Sequence, residues 1–594
     1  MGAPSRPQGI SFAIISLLLL MAAVMPPVDA TAAEPSPSPT LALPPATAPA
    51  PYWDADHLRP ASDLAYRLHA DLMTRALRAQ GRGEAEITRT VRTRLSPPPA
   101  AQNSMPASGT VRAVAVLVDF PDAPAPAGDG RADVALKMFG AGDPSLAPYE
   151  SLRSYYLRSS AGRLTIEGRV SGWFRSNHTR QYYRDRAAQY QEQYGAAYGP
   201  MIGQVCARSD LLREALTALD GEIDFSGCDA DGNGVVDAVY LTFAGPPDEW
   251  GDLFWGCQDV YLWHYWDVDP ARYDGLEIGP YVFSPYAYVG ASAYAPRTDI
   301  HETGHLLGLP DYYDYAPAVG PRGGLGGWDM MDAQFGDHNA FSKYLLGWIV
   351  PALVDGNGCR VDLAPAADGG GALLVMPGAA PDAYAEFFLV ECRQSGVGND
   401  PASVFDQVAQ TYRSFGPSLM IWHVDARLDP LGRQFACDNS YTPHKLLRLM
   451  EADGAEQIET ATTPYGAYNH VDDLYGPGDA FGPGTAPNSD AYDGLPTNVT
   501  VGAVVQSDGG ARAWIGTMPE PVAPVPGGTD APGDLDGDGL YEDVNGNGRA
   551  DFADVVLFFG RISWIAANEP VDAFDFNGNA RIDFDDAVAL FDRL

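Results

Sequence analysis

Apolar residues run almost unbroken over 111–120, which predicts a strand buried on both faces. Residues 152–158 follow with helical spacing, 164–174 read as a second strand, and 202–219 as an amphipathic helix. A further buried strand is expected over 236–243, and a helix over 338–349 should close this first region. From about Asp362 to Met518 the pattern changes to short strands separated by Gly, Pro and Asp turns, with examples at 373–376, 387–390 and 419–424. That pattern predicts an all-β, sandwich-like domain. Two apolar helical stretches, 555–559 and 587–591, close the chain, each preceded by an Asp/Asn/Gly-rich loop.

The N-terminal part reads differently. Arg6 precedes an apolar core over 10–24, with a cleavage candidate after Ala30, so residues 1–30 predict a signal peptide. The core is too short to span a bilayer comfortably, and no later stretch is long and apolar enough to do so. Residues 34–51 and 97–106 are linker-like, while Leu64, Leu68, Leu72 and Leu77 recur near helical spacing. A propeptide and a plain helical spacer are both consistent with 31–108. This segment contains no cysteine, which excludes latency through a cysteine switch. The expected boundaries are therefore 1–30, 31–108, 109–350 (mixed helix and strand), 351–518 (all-β), 519–533 (Pro/Gly linker) and 534–594.

The chemistry concentrates in His301-Glu302-Thr303-Gly304-His305, continuing to Gly308, Pro310 and Asp311. Histidines four residues apart on a helix share one face, one turn apart, and can hold one metal ion. Glu302 stands beside that metal, where it can take a proton from a metal-bound water. Gly308 can end the helix in a left-handed conformation, and Pro310 prevents its resumption. The chain then turns Asp311 back towards the metal. Two His and one Asp leave a fourth tetrahedral position open for water, as a catalytic Zn²⁺ requires. Tyr312, Tyr313 and Tyr315 follow, and a tyrosine near such a zinc can donate to a tetrahedral oxyanion; packing roles are equally open.

Downstream lies Gly326-Gly327-Trp328-Asp329-Met330-Met331-Asp332. Together with the zinc motif, this resembles the immune inhibitor A family of secreted zinc metallopeptidases, over roughly 111–490. Segments 343–349, 388–394, 420–425 and 451–454 fit the same family. The resemblance implies a metzincin-like fold in which Met331 forms a hydrophobic floor under the zinc. In most metzincins the third ligand is a histidine; here it is Asp311, which returns more negative charge and should make the bound water less acidic. The fold class implied is an α+β metzincin-like zinc peptidase domain, an all-β sandwich-like domain and a small α-helical calcium-binding module. The function implied is a secreted zinc metalloendopeptidase with Glu302 as general base and a protein or peptide as substrate. The competing reading is an inactive, calcium-dependent surface or scaffold-binding protein, which would have no reason to retain zinc.

Calcium candidates come from oxygen-bearing side chains at alternate positions around a glycine turn. Asp229, Asp231, Asn233 and Asp237 form one such loop, expected to be structural. Near the C-terminus, Asp543, Asn545, Asn547, Asp551 and Asp554 form a second, and Asp575, Asn577, Asn579, Asp583 and Asp586 a third. These two loop-helix units, about thirty residues apart, resemble a dockerin module over 534–594. The resemblance implies Ca²⁺ and a cohesin-like partner, with attachment to a scaffold or cell surface. Phe552-Ala553 and Phe584-Asp585 stand where many dockerins carry a Ser/Thr pair, and Ala580 replaces the turn glycine. Asp534, Asp536 and Asp538 begin a further Asp-rich stretch.

Composition narrows the partners. With 77 acidic and 38 basic residues among 594, the formal charge is −39, which argues against nucleic acid or an anionic membrane surface. Six cysteines are too few for a disulfide framework, and none has zinc-site spacing. The aromatic run containing Trp250, Trp255, Trp263 and Trp266, with His264, reads as core packing before it reads as a subsite wall.

Overall fold

The computed structural model describes Arg78 and residues 104–594, apart from 142–150, 199–200, 250, 263–270, 290–295, 315–323, 335, 355–357, 377–381, 396–404, 407–410, 413, 430–433, 440–443, 461–469, 508, 518–521, 536–539, 572 and 580. The expected signal peptide lies outside the described residues, as does the 31–108 segment apart from Arg78 and residues 104–108. So do Trp250, Trp263, His264, Trp266, Tyr315, Asp536, Asp538 and Ala580.

The first strand, β1 (Gly109–Asp119), is flanked by β2 (Leu164–Arg175) and, after the two-residue β3 (Val235–Val236), by β4 (Val239–Phe243). β5 (Cys257–Val260), β6 (Glu277–Ile278) and β7 (Pro280–Pro285) complete the set, and the main sheet has the order β2-β1-β4-β7-β5. Its pairs are parallel except for β5, which runs antiparallel to β7 at one edge. Consecutive apolar residues on β1 serve opposite faces. Val114, Val116 and Val118 join one core, and Ala113, Ala115 and Leu117 join another.

Helices cover both faces, as a mostly parallel sheet requires. They are α1 (Arg131–Phe139), α2 (Leu152–Ser159), α3 (Arg180–Tyr198), α4 (Ile202–Leu219), the short α5 (Tyr286–Val289), α6 (Arg297–Leu306), α7 (Met330–Ala333) and α8 (Ala340–Leu345). α4 packs Ala207, Leu211 and Leu216 under one face; α2 and α6 place Tyr156, Ile300 and Leu306 on the other. Three elements differ from expectation. α3 has nineteen residues and was not anticipated. The strand expected over 236–243 is split, because Asp237 turns the chain: its amide donates to the Cys228 carbonyl at 2.8 Å and its carboxylate accepts from the Ala230 amide at 2.7 Å. α8 is shorter than 338–349, stopping before Gly347, whose φ is +67°.

A second sheet has the order β15-β14-β11-β10-β8, and a three-stranded sheet the order β16-β17-β9. The strands are β8 (Ala352–Val354), β9 (Cys359–Leu363), β10 (Ala372–Val375), β11 (Glu386–Arg393), the short pair β12 (Phe405–Asp406) and β13 (Thr411–Tyr412), β14 (Ser418–Asp425), β15 (Leu447–Leu449), β16 (Thr500–Ser507) and β17 (Gly510–Gly516). The two sheets share a core: Phe388, Val390 and Ile421 meet Val501, Ala513 and Ile515. The opposite face of the larger sheet is equally buried. Phe387, Leu389, Met420 and Trp422 belong to the same cluster as Ile300, Trp328 and Met331. The expected boundary near residue 350 therefore crosses one continuous core.

At the end of the chain, α10 (Phe552–Asn568) and α11 (Phe584–Arg593) follow α9 (Gln457–Thr460) in the helix order. Both terminal helices extend well beyond the apolar stretches 555–559 and 587–591, and both begin with an Asp capping box, Asp551 with Asp554 and Asp583 with Asp586. They pack on a small core of Val544, Phe558, Phe574, Phe576 and Leu590. Among the described residues no helix is long and apolar enough to cross a membrane.

Candidate metal centre

Helix α6 carries His301, Glu302 and His305, the first two buried and His305 partly open. The Tyr156 hydroxyl donates to the Ile300 carbonyl at 2.7 Å, and the Tyr240 hydroxyl meets Thr303 Oγ1 at 2.9 Å. Both tie the helix to the main sheet and its covering helix. The helix ends as its glycine predicts. Gly308 has φ +91°, and its amide and that of Leu309 donate to the His305 and Gly304 carbonyls. The reversal brings Asp311 back, with Oδ1 at 2.9 Å from His301 Nε2 and 3.2 Å from His305 Nε2.

The Nδ1 atoms show how the rings are oriented. His301 Nδ1 donates to the Met330 carbonyl at 2.8 Å and His305 Nδ1 to the Leu309 carbonyl at 2.8 Å. With Nδ1 committed in this way, a neutral imidazole keeps only Nε2 to offer a metal ion, and both Nε2 atoms face the Asp311 oxygen. Such a set demands positive charge at its centre, and the donor atoms suit Zn²⁺. The electrostatics agree. Burial alone would lower both imidazole pKa values. The Asp311 carboxylate overrides it, raising His301 and bringing His305 up to about 9. Burial works against the Asp311 anion, yet the two histidines hold its pKa far below the usual carboxylate range.

His301, Glu302 and His305 also offer three ligand atoms within 4.8 Å of one another. Glu302 Oε2, however, accepts the Gln258 amide of edge strand β5 at 2.6 Å and lies 4.0 Å from His305 Nε2. Asp311 is nearer both imidazoles, so the fit favours Asp311 as third ligand and leaves Glu302 beside the metal position.

Met331 lies directly under the helix. A Cβ on Gly304 would meet Met331 Sδ, so the methionine side chain would have to move to admit one. Asp329 caps the short helix α7 by accepting the Met331 amide at 2.6 Å, and it also accepts the Asn339 amide at 2.7 Å. The loop is held as well by β11 of the second sheet and by the turn that ends at Asp473. Trp328 Nε1 donates to Asp473 Oδ2 at 3.1 Å, and Arg393 Nη2 donates to the Trp328 carbonyl at 3.3 Å. Buried His338 lies against Tyr155, Tyr156 and Trp348 beside this floor. Gln258, Tyr156, Arg393, Asp473 and His338 were not anticipated as parts of the site. They stand isolated in the sequence, with no spacing to mark them.

Of the tyrosines after Asp311, Tyr312 is fully buried and its hydroxyl meets Ser342 Oγ at 2.8 Å, which removes it as an oxyanion donor. Tyr313 is half-buried, its ring parallel to His301 with centroids 6.4 Å apart. Trp255 is half-buried against Tyr288, centroids 6.3 Å apart.

The other candidate ligands fall into separate groups. Asp229, Asp231 and Asp237 present oxygens within 4.8 Å of one another. Burial, with Asp231 and Asp229 adding to it, raises the Asp237 carboxyl to about 7. Asn233 instead turns its amide to Asp231 and accepts the Val235 amide. In the C-terminal repeat equivalent bonds recur. Asp543 accepts the Asn547 amide at 2.9 Å and Asp575 that of Asn579 at 3.0 Å. Asp554 accepts the Asn545 amide at 2.9 Å and Asp586 that of Asn577 at 3.1 Å. Asp551 and Asp583 occupy matching N-cap positions. No disulfide joins the six cysteines among the described residues.

Comparison with known proteins places the likeness on this part of the chain. The family described as the immune inhibitor A peptidase M6 catalytic domain matches residues 137–336. Pre-pro-metalloprotease PrtV of Vibrio cholerae is 25% identical over 245 aligned residues, covering 34% of this chain and 25% of that protein. Immune inhibitor A of Bacillus thuringiensis subsp. alesti is 30% identical over 189 residues, covering 28% of this chain and 26% of that protein. The alignments thus span about a quarter of each relative's length. The stretch that builds the centre, residues 137–336, is similar to a metallopeptidase catalytic domain of the M6 kind.

Proposed function

We propose that this protein is a secreted zinc-dependent endopeptidase. The observation that carries the reading is the convergence of His301 Nε2 and His305 Nε2 on Asp311 Oδ1, with Glu302 alongside. Zinc, when bound, supplies Lewis acidity that polarises the scissile carbonyl and acidifies water. His301 and His305 hold the metal through Nε2, with their tautomers set by the Met330 and Leu309 carbonyls. Asp311 provides the third ligand. Glu302 takes the proton from the attacking water and passes it to the leaving amine. The Gln258 amide aims the Glu302 carboxylate for that task.

The remaining parts fit around this function. We read the two packed sheets as a sandwich that braces the Met331 loop, and the loops at Asp229, Asp543 and Asp575 as structural calcium sites. The terminal module is read as dockerin-like, tethering the enzyme to a cohesin-like partner. Supporting this, Phe552, Val556, Phe559, Phe584, Val588 and Phe591 are 44–63% exposed on α10 and α11, too much apolar surface to leave without a partner. The Phe pairs suggest an apolar contact where many dockerins use hydroxyls.

The test is metal content against turnover. The secreted protein should carry about one zinc per chain and hydrolyse casein. A chelator should abolish hydrolysis and added zinc restore it. His301→Ala should lose both zinc and turnover. Casein hydrolysis that survives both chelation and His301→Ala would overturn the reading.

A further inference from the structure

Away from the candidate metal centre, two carboxylates of the segment joining β15 to α9 meet a third from the turn after α9. Glu451, Asp453 and Asp473 each present an oxygen, all within 4.8 Å of one another. Glu451 and Asp473 are 2% and 0% exposed, whereas Asp453 opens to solvent. Asp473 Oδ2 is occupied by Trp328 Nε1 and the His470 amide, but Oδ1 is buried with no hydrogen-bond partner. Glu451 Oε2 accepts the Gln457 amide at 2.8 Å. The Gln457 side chain donates to Asp453 from Nε2, while its own buried Oε1 has no partner. None of the three carboxylates makes an ion pair among the described residues. Burial and mutual repulsion raise Glu451 to about 8 and Asp473 to about 7.

Three converging anions, two of them out of water, are costly unless a cation joins them. The neighbouring basic groups are engaged elsewhere: Lys445 and Arg448 pair with Glu459 and Glu456, and His470 with Asp472. The available donors are oxygens, which excludes a soft-metal set and suits a hard divalent ion. We propose that Glu451, Asp453 and Asp473 bind a calcium ion, with the Gln457 side-chain oxygen as an added neutral ligand. Exposed Asp453 marks the entry path. The ion would keep Asp473 charged and so strengthen its grip on Trp328, three residues before the Met331 floor. The site is distinct from the Asp229, Asp543 and Asp575 loops and does not depend on peptidase activity.

The test uses the full chain and terbium as a calcium probe, excited through indole. Trp328 Nε1 lies 3.1 Å from Asp473 Oδ2, so it is a built-in antenna. Wild type should show one more tight calcium-competable site than Glu451→Gln. Asp453→Asn, at an exposed position where the amide can still accept the Ala455 amide, should keep its near-UV circular dichroism, weaken that site at least tenfold and dim the indole-sensitised emission. An unchanged site count with unchanged emission in folded Asp453→Asn would overturn the proposal.

Discussion

Gly304→Ala is the sharpest perturbation of the centre, because propensity and packing predict opposite signs. In an unconstrained helix interior the change should stabilise by about 1 kcal/mol, since glycine loses the most entropy there. Here the new Cβ would lie 2.3 Å from Met331 Sδ and 3.0 Å from Met331 Cε. The Met331 backbone is pinned, its amide by Asp329 at 2.6 Å and its carbonyl by the Tyr312 amide at 2.8 Å, so only its side chain can give way, and that side chain is fully buried. Overpacking of this kind costs about 1–3 kcal/mol, so the net change should run from neutral to about 2 kcal/mol destabilising. The damage should also reach the metal. The Met330 carbonyl orients His301, and loss of such an outer contact typically weakens metal binding by about 10–100-fold. The assay is zinc competition against a chromophoric chelator, with thermal unfolding of metal-free and zinc-loaded protein. Met331→Ala placed on Gly304→Ala should recover part of the zinc affinity by vacating the space. If Gly304→Ala alone raises stability by about 1 kcal/mol and keeps its zinc affinity, the close approach of floor and helix is wrong.

Three further outcomes follow from the same geometry. Asp311→Asn should lose most bound zinc while far-UV circular dichroism stays unchanged; retention of stoichiometric zinc at wild-type affinity would remove Asp311 from the ligand set. His338 is buried with neither ring nitrogen hydrogen-bonded, and burial lowers its pKa to about 3. A pKa depressed below its unfolded value of about 6.5 gives stability that is present above pH 6.5 and lost on acidification, about 2 kcal/mol by pH 5. His338→Phe should therefore flatten the melting-temperature decline between pH 7 and 5, and an unaltered pH profile would contradict this. Phe559→Ser with Phe591→Ser should abolish capture by a cohesin-like partner without changing casein hydrolysis, checked by pull-down and turnover on one preparation.

Much of the centre was legible because its geometry is local. The His301 to Asp311 span folds back through one helix end, and each step is marked by a residue with a strong backbone preference, Gly308 and Pro310 above all. Strands buried on both faces were legible for a similar reason: unbroken apolar runs such as that of β1 have few alternatives. Helix α3 was not visible. Its sequence is rich in Arg, Gln and Tyr on all sides, and it packs through tyrosines such as Tyr183 and Tyr190 instead of an aliphatic stripe. The merging of the second sheet with the core beneath the zinc motif was also hidden. Near-continuous apolar runs along β11 and β14 signal two buried faces, but sequence does not say what covers each one. The supports of the site, from Gln258 to Asp473, are single polar residues brought in by tertiary packing, so they carry no pattern at all.

The central claim is that Glu302 acts as base beside a zinc held by His301, His305 and Asp311. The most direct measurement is zinc content and casein hydrolysis of wild type and Glu302→Gln, prepared side by side. The account predicts about one zinc per chain in both proteins, with hydrolysis in the wild type and almost none in the variant. Substantial hydrolysis by Glu302→Gln, or absence of zinc from both proteins, would contradict it.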